Sequence, residues 1–208
     1  PNESSAASDV YKRQKLNREI IKDYAEQYYQ HVKAFPRYIS ATHSICEDIE
    51  KRRILLENLQ DEENKDGDHP KLWKNFAKAL GADDKKIENA KLDWFTKDMI
   101  DNFFAQARKS YAEGLASLYT YERQIPEIAE TKIQGLKKFY GVNSKEGLEF
   151  FEAHKSADVI HRAECEKLLD GLSKEEQKKA ENASLLTARY LWNFLSGMVS
   201  KHKLQQAA

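Results

Sequence analysis

Residues 145–169 read KEGLEFFEAHKSADVIHRAECEKLL, a stretch without proline that predicts one continuous helix. His154, Asp158 and His161 lie within it at positions i, i+4 and i+7. At 100° per residue, Asp158 and His161 lie roughly 40° and −20° from His154, so the three side chains share one stripe. Two imidazoles and a carboxylate on one stripe are typical of a metal site. The alternative is the polar face of a surface helix that happens to carry two histidines.

The composition indicates a mostly helical protein with one substantial core. The chain has 208 residues, of which 33% are charged, and only four prolines and eight glycines interrupt it. The 34 Lys and Arg residues equal the 34 Asp and Glu residues, so there is no basic field for nucleic acid or anionic lipid. No apolar run is long enough to cross a bilayer and no secretory signal is visible. Cys46 and Cys165 lack a C-x-x-C spacing, so we expect reduced thiols in a cytoplasmic protein.

The first residues need separate treatment. Residues 4–14, SSAASDVYKRQ, resemble the translation of a transposon-based sequencing adapter. Neither helix propensity nor function would dictate that string. We therefore expect residues 1–14 to be non-native and residues 15–208 to form the domain, without the authentic N-terminal segment.

Apolar spacing and turn residues predict about seven helices in a single all-α bundle. Residues 16–39 are helical in pattern, Pro36 predicts a break or kink near the end of that helix, and a second helix is expected from Pro36 to Ile49. A third helix is expected over 50–63. The string NKDGDHP at 64–70 predicts a turn, with Pro70 starting a short helix that Gly81 closes.

The second half of the chain continues the helical pattern. Residues 91–121 carry a longer apolar stripe, and Pro126 is expected to bend the following helix or divide it from the next. Asn143 is the preferred N-cap over Ser144, because Glu146 stands three residues after it. Residues 171–173 close that helix and cap the last one. No strand and no internal repeat is expected.

Further candidate ligands flank the turn at 64–70 and a later apolar segment. Glu62 and His69 are seven residues apart, and Gly67 predicts that His69 folds back from the turn toward Glu62. Glu63 competes for the carboxylate position, and a polar helix end would also explain either acid. Glu122 lies in a segment apolar enough to be buried, where a carboxylate needs a metal or an ion pair with Arg123 or another basic group.

The combined set has three carboxylates and three imidazoles delivered by separate helices: Glu62, Glu122, Asp158, His69, His154 and His161. Such a mixed set in a bundle interior can hold two first-row ions. Imidazoles suit iron or manganese better than magnesium, whereas zinc is common in smaller histidine-rich sites.

These segments together resemble one known family. From about Asp23 to Lys167 the chain is similar to the family of the chlamydial protein associating with death domains (CADD), heme-oxygenase-like dinuclear oxidases related in fold to PqqC and TenA. The resemblance is carried by 23–38 DYAEQYYQHVKAFPRY, 55–64 LLENLQDEEN, 69–73 HPKLW, 118–136 LYTYERQIPEIAETKIQGL and 150–161 FFEAHKSADVIH. It implies all six residues above as ligands of two irons or an iron–manganese pair, and it favours Glu62 over Glu63.

The resemblance also implies a reaction. The family is implicated in forming p-aminobenzoate for folate by oxidising and excising one of its own tyrosines, with a lysine as amino donor. That lysine matches Lys132, and a tyrosine beside the site matches Tyr121, whereas another site tyrosine is replaced here by Phe150. The sacrificial tyrosine falls at Ser8, inside the adapter-like segment, so we expect this chain to lack it.

The position of Lys132 on its helix bears on its implied role as the amino donor. It follows Glu122 by ten residues and falls about 80° off the Glu122 stripe on an unbroken helix, so facing the site depends on Pro126. A solvated surface amine is the alternative.

Two other classes of function stay open. One is a metal-independent enzyme of the PqqC or TenA kind acting on a small heterocycle, with Cys165 the better candidate nucleophile of the two cysteines. The other is a helical interaction protein that uses its exterior. For the oxidase we expect dioxygen as the small-molecule partner, no nucleic acid and no membrane, and we leave a homodimer open.

Overall fold

The computed structural model describes residues 16–204, and among them the backbone but not the side chains of residues 156–161. The residues 1–14 expected to be non-native, and with them Ser8 and Tyr11, therefore lie outside the described residues. Over the described part of the chain the structure has nine helices and no strand, which confirms the all-α prediction. The helices are α1 Arg18–Ile45, α2 Ile49–Glu62, α3 His69–Ala79, α4 Asp84–Glu88, α5 Trp94–Lys109, α6 Tyr111–Glu122, α7 Ile125–Tyr140, α8 Lys145–Asp170 and α9 Lys174–Lys201.

Helix α1 passes through the centre of the bundle and contacts α2 through α6. The prediction of a separate second helix from Pro36 to Ile49 is wrong, because Arg18–Ile45 is one helix with Pro36 inside it. A proline there removes one backbone hydrogen bond. Its neighbours Phe35, Tyr38 and Ile39 are all buried, and their packing outweighs that loss.

The turn between α2 and α3 has the predicted form. Asp48 caps the start of α2, and Asp68 caps the start of α3 by accepting a hydrogen bond from the Lys71 amide at 2.8 Å. Pro70 lies in the first turn of α3, where its missing N–H costs nothing. The chain therefore reverses between Glu62 and His69, as expected.

The apolar stripe at 91–121 divides into two helices at Ser110. This residue is extended and accepts a hydrogen bond from the Glu113 amide at 3.2 Å, so it serves as the N-cap of α6. The short helix α4 was not predicted. Arg123 and Gln124 separate α6 from α7, and Pro126 lies in the first turn of α7, so the predicted division is confirmed.

Helices α8 and α9 complete the bundle. The preference for Asn143 as the N-cap of α8 is wrong, because Ser144 caps the helix and accepts from the Gly147 amide at 3.1 Å. Ser173 caps α9 through a reciprocal pair of hydrogen bonds with Glu176, as the sequence indicated. Helix α9 packs on α6 and α5. Within residues 16–204, none of the helices combines the length and the apolarity that a membrane crossing requires.

Candidate metal centre

Three of the predicted ligands meet inside the bundle. Glu62 ends α2, His69 begins α3 and His154 lies in the middle of α8. Each offers a ligand atom within 4.8 Å of the others, and all three side chains are buried, with 3–6% of their surface exposed. Buried carboxylates and imidazoles normally need a charged partner or a metal. We refer to these three residues as the ligand group.

The contact between Glu62 and His69 has the form expected of two ligands that face a common point. Oε2 of Glu62 lies 2.8 Å from Nδ1 of His69, so the two buried side chains form a close pair. Burial opposes a charge on His69, but the Glu62 carboxylate outweighs it and raises the pKa of His69 above its usual value. The pair therefore attracts positive charge.

His154 is oriented by its own helix. Its Nδ1 lies 2.6 Å from the carbonyl oxygen of Phe150, one turn earlier. A carbonyl can only accept, so Nδ1 carries the proton and the ring lone pair is on Nε2. Fixing the tautomer of a metal-binding histidine through its second nitrogen is common in metalloproteins.

Glu122 lies beside the ligand group, at the end of α6, and is 2% exposed. Asn58 Nδ2 donates to Oε1 of Glu122 at 2.7 Å, and Cys165 Sγ lies 3.8 Å from Oε2. Burial, together with the charge of Glu62, raises the pKa of Glu122 to about 7, although Asn58 and Cys165 oppose the shift. Among the described residues no basic side chain forms an ion pair with Glu122. The ion-pair alternative therefore has no support there.

Asp158 and His161 fall in residues 156–161, whose side chains lie outside the described part of the structure. The backbone of α8 is helical across them, as predicted. His154, Asp158 and His161 thus lie on one uninterrupted helix.

An aromatic wall backs the ligand group. The ring of Phe150 lies 4.1 Å from that of His154 and 4.8 Å from that of Trp73, measured between centroids. The rings of His69 and His154 are 4.3 Å apart. Phe150 places no hydroxyl in this wall. These rings keep water away from the group, which strengthens charge interactions within it.

Tyr121 belongs to a second aromatic cluster, around a buried histidine. Its ring lies 5.1 Å from His31 and 4.7 Å from Phe35, and its hydroxyl hydrogen-bonds to Tyr28. His31 is fully buried and neither of its ring nitrogens has a hydrogen-bond partner. Phe103 and Tyr121 reach His31 from other helices, so the sequence around His31 does not predict this cluster.

Lys132 is not the solvated surface amine of the alternative interpretation. Its Nζ donates to the hydroxyl of Tyr24 at 2.8 Å and lies 6.0 Å from the centre of the Trp73 ring. Burial lowers the pKa of Lys132 to about 8. Because α7 starts afresh after Gln124, the 80° offset of an unbroken helix does not apply.

Both cysteines lie in buried surroundings that are typical of structural thiols. Cys165 and Cys46 are both buried. Burial and the neighbouring Glu122 carboxylate raise the pKa of Cys165 well above that of an ordinary thiol. A nucleophilic cysteine needs the opposite shift, so the metal-independent alternative gains no support.

Two residues near the ligand group were missed as site residues from the sequence. Asn58 lies one turn before Glu62 on α2 and donates a hydrogen bond to Glu122. The hydroxyl of Tyr24 accepts a hydrogen bond from Lys132. The spacing of Asn58 and Glu62, at i and i+4, is the signal that could have found the first.

Comparisons with known proteins identify the family of the chain. The sequence profile of a family described as iron-containing redox enzymes matches residues 22–192. A protein of Chlamydia trachomatis named 4-aminobenzoate synthase is 40% identical over 185 residues, which cover 88% of this chain and 80% of that protein. A protein of Nitrosomonas europaea with the same name is 38% identical over 196 residues, covering 88% of this chain and 80% of the relative.

A solved structure shares the fold at low sequence identity. A TenA homologue from Pseudomonas syringae superposes with a TM-score of 0.80 at 17% identity, covering 95% of this chain and 89% of that one. At such identity the likeness concerns the fold alone. The heme-oxygenase-like, TenA-like architecture predicted from the sequence is confirmed.

Proposed function

Because the chain belongs to the family of iron-containing redox enzymes, we propose that it is a 4-aminobenzoate synthase that uses dioxygen and two transition-metal ions. The relatives named 4-aminobenzoate synthase, at about 40% identity over most of the chain, support the product. The observation that carries the metal-dependent part is the convergence of Glu62, His69 and His154 from three helices.

The described residues fit a metal site. The ligand group is buried, Nδ1 of His69 lies 2.8 Å from Oε2 of Glu62, and the carboxyl of Glu122 lies beside them without a basic ion-pair partner in the described structure. We assign two irons, or an iron–manganese pair, to Glu62, His69, Glu122, His154, Asp158 and His161. When bound, these metals supply one-electron redox chemistry with dioxygen.

The chain itself holds and shields the site. Asn58 orients the Glu122 carboxylate by donating to Oε1, and the Phe150 carbonyl fixes the His154 ring. Phe150 and Trp73 exclude water on one side. Rigid side chains in a dry pocket restrict oxidation to groups that the protein places there.

Lys132 is our candidate for the amino donor. An amine reacts through its lone pair, so the neutral form is the one that can give nitrogen to a carbon centre. With its pKa lowered to about 8, Lys132 is neutral in about a tenth of molecules at pH 7, against fewer than one in a thousand for an ordinary lysine. Burial therefore prepares the amine for transfer.

The aromatic ring of the product is assigned to a tyrosine of the protein. The position expected for it is Ser8, so we propose that this chain binds metal but forms little 4-aminobenzoate, unless the sacrificial tyrosine is restored. We propose that Tyr121, whose hydroxyl hydrogen-bonds to Tyr28, supports this reaction as a residue of the site. Replacing Ser8 with tyrosine tests the assignment, and the expected result is 4-aminobenzoate formed in amounts no greater than the protein.

Metal analysis tests the proposal directly. Protein loaded anaerobically with Fe(II) should hold about two metal ions per chain, and exposure to dioxygen should produce near-ultraviolet absorbance. His69→Ala should lose at least one ion, whereas His43→Ala, a histidine away from the ligand group, should retain both. Circular dichroism would establish that both variants fold. Wild-type protein that takes up no metal would refute the proposal.

A further inference from the structure

The amine of Lys132 lies in a box of aromatic rings. Its Nζ is 5.0 Å from the ring centre of Tyr24, 5.9 Å from that of Tyr28, 6.0 Å from that of Trp73 and 5.6 Å from that of Phe151. The four residues come from α1, α3 and α8, so three helices enclose one amine carried by α7. We call these four residues the amine box.

One polar contact holds the amine inside this box. Nζ donates to the Tyr24 hydroxyl at 2.8 Å, and no carboxylate in the described structure forms an ion pair with it. A buried lysine usually pairs with an acid. Of the titratable groups that face it, the phenols of Tyr24 and Tyr28 are both kept neutral, because burial raises the pKa of each far above the usual value.

The two phenols are not equivalent. The hydroxyl of Tyr28 is engaged with Tyr121, whereas that of Tyr24 accepts from Lys132. The Tyr24 and Tyr28 rings stack, with centroids 5.3 Å apart, one turn apart on α1. A substitution of either tyrosine by phenylalanine removes one hydroxyl and leaves both rings in the box. Tyr28→Phe is therefore a matched control for Tyr24→Phe.

We propose, resting on the function proposed above, that Tyr24 is a positioning residue that fixes the amino donor Lys132 through its hydroxyl. With one N–H directed to Tyr24, the neutral amine has a defined orientation for its lone pair. Without that contact, the other hydroxyl of the amine box is that of Tyr28, which is already engaged with Tyr121. Orienting a reacting group before reaction is worth a substantial rate factor.

The proposal makes a prediction about the amine that does not depend on catalysis. The pKa of Lys132 can be measured by nuclear magnetic resonance in protein carrying [ε-13C]lysine, with the Lys132 signal identified by its loss in Lys132→Met. Tyr24→Phe removes the acceptor of the ammonium, so the pKa should fall by about one to two units below the wild-type value. Tyr28→Phe should leave it within about 0.3 units. Equal shifts in the two variants, or no shift in Tyr24→Phe, would overturn the proposal.

The contact can also be observed from the tyrosine side without altering Tyr24. In protein with tyrosine labelled at 13Cζ, Lys132→Met should move the Tyr24 signal and leave the Tyr28 signal in place. This measurement holds even if Tyr24→Phe folds poorly. An unmoved Tyr24 signal would count against the contact in solution.

Activity separates this proposal from the function on which it rests. In protein with Ser8→Tyr, Tyr24→Phe should lower the yield of 4-aminobenzoate, and the pH midpoint of the yield should move down with the pKa of Lys132. If Lys132→Met still forms the product, the amino-donor assignment fails, while the resonance titrations still report on Tyr24. If the titrations show no contact although Lys132 is required, the role of Tyr24 alone is refuted.

Discussion

His31 should make the protein less stable in mild acid, to an extent that the structure allows to be worked out. Its imidazole is fully buried among aromatic rings, and neither nitrogen has a hydrogen-bond partner. Burial lowers the pKa of His31 from 6.5 to about 3. Between these two values the unfolded chain binds a proton that the folded chain does not, so stability falls as the pH falls through 6.5.

The magnitude follows from that pKa difference. At pH 5 the unfolded His31 is protonated and gains about 2 kcal/mol, whereas the folded His31 is neutral and gains almost nothing; at pH 8 neither form gains. His31 thus costs about 2 kcal/mol of stability between pH 8 and pH 5. The loss continues to grow by about 1.4 kcal/mol for each further pH unit down to the folded pKa.

The assay compares the wild type with His31→Phe, which keeps an aromatic ring inside the cluster and removes the titrating group. Urea unfolding at pH 5 and pH 8 gives the free energy of unfolding of each protein, and all other titrations cancel in the difference. The stability of the variant relative to the wild type should rise by about 2 kcal/mol on acidification. A difference that is the same at both pH values would show that His31 has a partner in solution and would refute the reasoning.

Two further substitutions test other parts of the structure. Asn58→Ala removes the donor to Oε1 of Glu122, so the affinity for Fe(II) should fall by about 10- to 100-fold in an anaerobic competition with a coloured chelator. An unchanged affinity would mean that Asn58 does not orient the carboxylate. Gly197→Ala would drive a methyl group into the ring of Phe95 where α9 crosses α5, and should lower stability by about 1–3 kcal/mol in urea unfolding. The control Gly171→Ala meets only ordinary contacts, and an equal loss there would contradict the overlap.

Local sequence signals predicted most of the helix ends, because caps act through a few neighbouring residues. Pro70 lies in the first turn of α3 and Ser173 caps α9, as expected. Pro36 shows where such signals fail. Its cost to the helix is local, but the burial of α1 on several other helices is not visible in the sequence and outweighs it.

The candidate site was predictable where one element or one turn brings residues together. The stripe of His154 and the reversal between Glu62 and His69 both follow from chain geometry over short distances. The amine box could not be predicted in this way, because Tyr24 and Lys132 are 108 residues apart and meet only through their side chains in the folded bundle. Their contact depends on tertiary structure, and so does the neutral state of His31 inside its cluster of aromatic rings.

The ligand group and the amine box share two helices, and this fixes the distance between them. His69 and Trp73 are one turn apart on α3, about 6 Å along its axis, and His69 belongs to the ligand group while Trp73 contacts Lys132. On α8, His154 likewise belongs to the ligand group and Phe151 contacts Lys132. Trp73 Nε1 also donates to the Ala25 carbonyl at 2.8 Å, which ties α3 to the helix that carries Tyr24. Since rigid helices rather than loops set this spacing, a substitution of Trp73 should disturb metal binding and amine titration together. Loss of the Tyr24 hydroxyl should disturb the amine alone.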